Sequence, residues 1–235
     1  MLRQIKAKNL GTSNLGWLQS RFHFSFAEYH NPKAIQFGVL RVINDDLVQP
    51  GTGFDLHPHR DMEIISYVVD GELTHADNMG NRQTLTRGQV QYMSAGTGVY
   101  HSEHNLGTGV ARFLQIWIFP DKRRLEPNYG DYRFRWDDRR DRWLQLVSGQ
   151  DGNAPVKIHQ DVNLSALELE AGKEIALTVG PGRQAYLVQI EGSSELGSVT
   201  LEPRDGLEIV EEDLVLKAKT ASHVLVIEMA KTEVT

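Results

Sequence analysis

Every apolar run in the first half of this chain is too short for a helix face and is closed off by turn residues. VLRVI (39–43), IISYVV (64–69), QVQYM (89–93) and RFLQIWIF (112–119) are rich in β-branched and aromatic side chains and lie between Gly, Asn, Asp and Pro. Runs of that kind read as strands, and no segment here sustains the 3.6-residue apolar spacing of a helix. Asp77-Asn78-Met79-Gly80-Asn81 predicts a hairpin turn, because Gly and Asn tolerate positive φ. Residues 121–143 break the pattern: they are charged, carry Pro127 and Gly130, and read as a linker with one helical turn near Asp137–Trp143. Strands then resume in LSALEL, EIALTV, QAYLVQI, SVTLE, GLEIV, LVLKA and HVLVIEM. An all-β chain in two parts follows.

The two parts echo each other. With Pro50-Gly51 set against Ala171-Gly172, SYVVDGE (66–72) falls on LVQIEGS (187–193), and LTRGQV (85–90) comes within a residue of EPRDGLEIV (202–210). Self-similarity at this scale predicts one fold used twice. In this register His57 meets Thr178 and His59 meets Gly180, so ligand-type side chains belong to the first copy alone.

The pair His57-Pro58-His59 stands at the mouth of an apolar strand. Side chains at i and i+2 of a strand share a face, roughly 6.5–7 Å apart along the backbone, so both imidazoles can reach one ion while Pro58 points away. Proline donates no ladder bond, which suits a strand start or an edge. His101 and Glu103 repeat the spacing, and each pair follows a Gly-Thr-Gly turn, at 51–53 and 96–98. Should their strands be neighbours, three nitrogens and one oxygen would converge. The absence of cysteine makes that set important: disulfides, thiolate nucleophiles and Cys-ligated metals are excluded. The donors suit a borderline divalent ion such as Fe²⁺, Mn²⁺, Ni²⁺, Cu²⁺ or Zn²⁺, leaving positions open for substrate and O₂.

Other function classes fit poorly. A net charge of −6 without a basic face argues against nucleic acid; Lys122-Arg123-Arg124 and Arg139-Arg140 read as solvated surface. No stretch approaches the roughly 18 apolar residues of a membrane helix, and MLRQIKAKNLGTS has no apolar signal core. A cytoplasmic monomer is expected.

Gly51-x5-His57-x-His59-x3-Glu63-x7-Gly71 resembles the first cupin motif with one residue too many before the last glycine. Gly88-x5-Ser94-x-Gly96-x4-His101-x3-Asn105 resembles the second, with Ser for the usual Pro and two extra residues before the His. These departures, together with HFSFAEYHNP (23–32), resemble bacterial members of the pirin branch of the cupins. The resemblance implies two tandem cupin barrels (double-stranded β-helices), a metal-binding domain at 1–133 and a degenerate domain without ligands at 134–235. It implies His57, His59, His101 and Glu103 as ligands of one divalent ion, Fe²⁺ first, with Zn²⁺, Co²⁺, Ni²⁺, Cu²⁺ or Mn²⁺ as alternatives. Active members open the flavonol ring of quercetin with O₂ and release carbon monoxide, Glu103 being the candidate base. Others are metal-bearing regulatory modules that bind protein partners, the alternative reading here.

Remaining residues receive plainer readings. Glu63 shares strand parity with His57 and His59, and ordinary cupins use it as a ligand; the pirin pattern favours Glu103 and leaves Glu63 to hydrogen-bond a ligand imidazole. His104 falls on the opposite strand face, and His75 reads as an exposed hairpin residue. His23, His30, His159 and His223 read as packing or surface, and Trp117, Ile118 and Phe119 as strand core. Asp45-Asp46 and Asp137-Asp138 read as exposed turn or linker charge. Ser94 lacks triad partners.

Overall fold

The computed structural model describes residues 1–232 and divides into two compact units. One comprises Gly11–Phe134 with Ile158–Gln160; the other comprises Met1–Leu10, Arg135–Lys157 and the chain from Asp161 onward. Strand β1 (Leu2–Ile5) belongs to the latter. The former holds β2 (Gly11–Asn14), β3 (Leu18–Phe22), β4 (Leu40–Val48), β5 (Thr52–His59), β6 (Glu63–Asp70), β7 (Glu72–Asp77), β8 (Arg82–Thr86), β9 (Val90–Ser94), β10 (Val99–Asn105), β11 (Ala111–Ile118) and β12 (Asn128–Tyr132). These form two antiparallel sheets, one ordered β5-β10-β7-β8 and the other β12-β9-β6-β11-β4-β3-β2. Leu73 and Leu85 of the smaller sheet pack with Leu18, Val48, Val68 and Phe113 of the larger one, so the sheets close face to face over a shared core. Such a two-sheet roll is the cupin architecture that the motifs imply.

The second unit carries β13 (Leu144–Gly149), all but the last residue of β14 (Val156–Ile158), β15 (Val162–Leu169), β16 (Glu174–Glu191), β17 (Ser194–Leu196), β18 (Val199–Leu201), β19 (Gly206–Ala218) and β20 (Ser222–Ala230). β1 pairs with β19, Leu2 opposite Ile209. Leu167, Leu187, Leu207, Ile209, Leu216 and Val226 form its apolar core cluster, beside which Gln184, Gln189, Ser194 and Glu208 are also buried. Among the described residues, clusters of potential metal ligands occur in the first unit alone.

Three expectations are corrected here. The supposed linker contains β12, which pairs with β9 (Tyr129 opposite Met93), and its helical turn is a 3-10 turn at Trp136–Arg139. Arg139 is not solvated: its side chain is fully buried, with the guanidinium 4.6 Å from the Trp136 ring centroid, a favourable contact for a desolvated cation. Asp45-Asp46 is no turn. β4 runs straight through it, and both carboxylates are buried. Arg112 makes this tolerable by donating Nε to Asp45 Oδ1 at 2.9 Å and Nη2 to Oδ2 at 2.7 Å, the bidentate geometry that makes Arg–carboxylate pairs strong.

Candidate metal centre

The register of β10 assembles the site. Its residues alternate buried and less buried, so Val99, His101, Glu103 and Asn105 face inward. On one flank His101 lies opposite His57 and Val99 opposite His59; on the other His101 lies opposite Asp77 and Glu103 opposite His75. A bulge between the His101 and Glu103 pairings shifts the β5–β10 register there, and bulges commonly re-aim side chains near sites. Gly53 allows the close approach: a Cβ there would collide with the Glu103 carbonyl and the His104 backbone.

Nitrogens of His57, His59 and His101 lie within 4.8 Å of one another, and a second trio, His75, His101 and Glu103, meets the same limit. Of the four residues expected as ligands, three imidazoles therefore converge, while Glu103 groups with His101 on the adjoining side. Ring centroids are 4.4 Å apart for His57–His101 and 4.9 Å for His59–His101.

Tautomers follow from hydrogen bonds. His57 Nδ1–H donates to the Asp55 carbonyl at 2.7 Å, which leaves Nε2 with a free lone pair. His75 Nε2–H donates to Asp77 Oδ2 at 3.0 Å, so its Nδ1 is the acceptor facing His101 Nδ1 at 3.3 Å. His101 Nε2 is then a lone pair, buried and without a partner among the described residues. Orphaned buried polar atoms are rare, and a lone pair beside two more imidazoles is what a cation needs. Burial, and then neighbouring imidazole charge, lowers both His59 and His101 to about 3, which keeps them neutral and ready to ligate. The donor set fits a divalent ion.

Glu103 is held from behind. Oε1 accepts from Gln91 Nε2 at 2.7 Å and from Ser66 Oγ at 2.9 Å, and Oε2 accepts from Gln115 Nε2 at 2.6 Å. An ionised carboxylate has about four lone-pair positions, so Oε2 keeps spare capacity. Beside the centre lies a cavity of about 300 Å³, lined by Leu18, Phe22, Phe26, Phe54 and Trp117 and by the polar Ser20, Asn44, Asp46, Gln115, His57, His59 and Glu103.

Several readings change. His75 is not exposed: it is fully buried, stacked on Tyr129 at 4.4 Å, and tied to His101. Trp117 is a cavity wall, edge-on to His59 at 4.9 Å, while Ile118 stays in the core. Glu63 bonds no ligand imidazole; its oxygens accept from Ser94 Oγ at 2.6 Å and from the His159 backbone N–H at 3.2 Å. His104 does face away, its Nε2 3.3 Å from Asp55 Oδ1, and Asp137 is exposed as expected. Parity could have found His75, because Leu73, His75 and Asp77 share one face of β7 and Leu73 is buried.

Comparison with known proteins agrees with this architecture. A family model described as Pirin matches residues 4–118, and one described as quercetinase C-terminal cupin domain matches residues 145–229. A Pseudomonas aeruginosa protein provisionally named quercetin 2,3-dioxygenase is 45% identical over 98% of this chain and 100% of its own length. The Escherichia coli K12 protein named quercetin 2,3-dioxygenase is 37% identical over 97% and 99%. The crystal structure of the bacterial pirin YhhW from Escherichia coli in complex with nickel(II) matches at a TM-score of 0.91 and 35% identity, covering 99% of this chain and 100% of that one. No described helix is long and apolar enough to cross a membrane.

Proposed function

This chain belongs to the pirin family of two-cupin proteins, and from that membership we propose that it is a metal-dependent dioxygenase that opens a flavonol such as quercetin with O₂ and releases carbon monoxide. The observation that carries the reading is the meeting of three imidazoles, one with an orphaned Nε2, beside an aromatic-lined cavity. His57, His59 and His101 would hold the ion, with Glu103 as the fourth ligand through Oε2. Iron(II) is the first choice, and nickel(II) is the alternative suggested by the relative's complex. When bound, the ion supplies Lewis acidity that lowers the pKa of a flavonol 3-hydroxyl.

The protein's own share is orientation and proton handling. Phe22, Phe26, Phe54 and Trp117 clasp a flat ring system and exclude water. Glu103 would accept the 3-hydroxyl proton as general base at Oε2 on releasing the ion there, while Gln91, Gln115 and Ser66 fix the plane of its carboxylate. His75 and Asp77 fix the His101 ring, as outer hydrogen-bond partners of ligand histidines do.

The test uses protein purified without a polyhistidine tag. Elemental analysis identifies the resident ion. Metal-free protein reloaded without oxygen with Fe²⁺, Ni²⁺, Co²⁺, Cu²⁺, Mn²⁺ or Zn²⁺ is then given quercetin and O₂, and the visible absorbance and evolved CO are followed. Turnover that His101→Ala abolishes supports the enzyme. Metal binding with no turnover on any ion would instead favour the regulatory module.

A further inference from the structure

The larger sheet brings a second set of unpaired atoms to the same cavity. Asn44 and Asp46 both line it, each is 3% exposed, and the Oδ1 atom of each has no hydrogen-bond partner among the described residues. Trp117, on the same sheet, lines the cavity with an unpartnered Nε1–H. Asn44 and Asp46 are two residues apart on β4 and so share a face, roughly 6.5–7 Å apart along the strand. Asn44 lies opposite Gln115 of β11, whose amide nitrogen is committed to Glu103. Asp46 lies opposite Ser20 of β3, and a hydrogen bond from Ser20 occupies part of its carboxylate. What remains is two acceptors and one donor among aromatic walls.

Polar side chains buried this deeply are nearly always paired, and a β-sheet core could have filled these positions with valine or leucine, as Val42 and Val48 fill others on the same strand. A ligand that satisfied them would present hydroxyl hydrogens to the two oxygens and an oxygen to the indole N–H. A flat, polyhydroxylated aromatic has that pattern. We propose that Asn44, Asp46 and Trp117 form a hydroxyl-reading subsite, which selects, among the flavonol-like compounds that the cavity accepts, those with ring hydroxyls besides the one at the metal. This rests on the flavonol reading for the class of ligand, and adds to it which members bind and through which atoms. A ligand lacking those hydroxyls would bury the two oxygens dry, and sites built around a substrate hydroxyl discriminate strongly against analogues without it.

The test is isothermal titration calorimetry on the nickel-loaded full chain in oxygen-free buffer, with quercetin and with 3-hydroxyflavone, which keeps the reacting 3-hydroxyl and carbonyl but no other hydroxyl. The unaltered protein should bind quercetin about tenfold or more tighter, equivalent to about 1.4 kcal/mol. Asn44→Leu and Asp46→Ala should each remove most of that preference by weakening quercetin and leaving 3-hydroxyflavone unchanged. Equal affinity for the two compounds, or variants that weaken both alike, would overturn the subsite and leave the flavonol reading standing. Failure of the unaltered protein to bind either compound would overturn the flavonol reading and this inference together. The two-compound comparison on the unaltered protein decides the matter even where a variant does not fold.

Discussion

At the scale of single residues, the cavity wall and the adjoining imidazole cluster hold groups whose protonation works in opposite directions. Burial pushes the Asp46 carboxyl from 3.8 up to about 7, the charges of Asp45 and Glu103 adding to it against the Ser20 hydrogen bond. Between those values the folded chain keeps a proton that the unfolded chain has lost, so stability falls as pH rises through that window. Asp46→Asn should therefore be more stable than the parent at pH 8, by up to about 4 kcal/mol, with the gap closing by pH 4; urea midpoints across that range measure it. His101 behaves in reverse. Its folded value of about 3 lies below the ordinary 6.5, so as pH falls below 6.5 the unfolded chain takes up a proton that the folded chain refuses. Metal-free His101→Gln should lose less stability between pH 7 and 5 than the metal-free parent, by about 1–2 kcal/mol. The sequence displayed His57, His59, His101 and Glu103 openly, because i, i+2 spacing beside glycine turns is a local signal. Asp46 and His75 were hidden for the opposite reason. Asn-Asp-Asp favours turns when read alone, and only Arg112, Ser20 and Gln115, all distant in sequence, make a buried strand of it.

At the scale of elements, the centre depends on how closely β5 approaches β10. Gly53 has no room for a side chain against the Glu103 carbonyl. Gly53→Ala should cost about 1–3 kcal/mol, as overpacking does, and should weaken metal binding as well, since the same backbone carries His57 and His101; chelator competition reads the second effect. Strand existence was legible from short β-branched runs, but ends were not. VLRVI predicts a strand ending at 43, whereas β4 reaches Val48. β12 escaped because NYGDY lacks an apolar run: it is a half-exposed edge strand with a glycine whose Cβ would strike the Tyr92 ring. Edge strands with one neighbour need less apolar surface than central ones.

At the scale of the whole molecule, one all-β plan is used twice, and among the described residues the clusters of metal-ligand type side chains fall in the first unit alone. Metal loading should accordingly be felt unevenly. Hydrogen–deuterium exchange should slow in β5, β7 and β10 when nickel is added and stay unchanged in β16, β19 and β20; uniform protection would contradict this. The doubling was legible because both halves repeat strand and turn signals at similar intervals. The pairing of β1 with β19 was not, since LRQI carries no mark of a partner at the far end of the chain. Asp77 deserves a last consequence. Besides its bond from His75, it accepts the backbone N–H groups of Met79 and Asn81, so one carboxylate both ties off a surface hairpin and steers an interior imidazole. A loop tip is where sequences drift most freely, yet here drift would re-aim an imidazole of the candidate centre from outside, like a trim screw reached without opening the case.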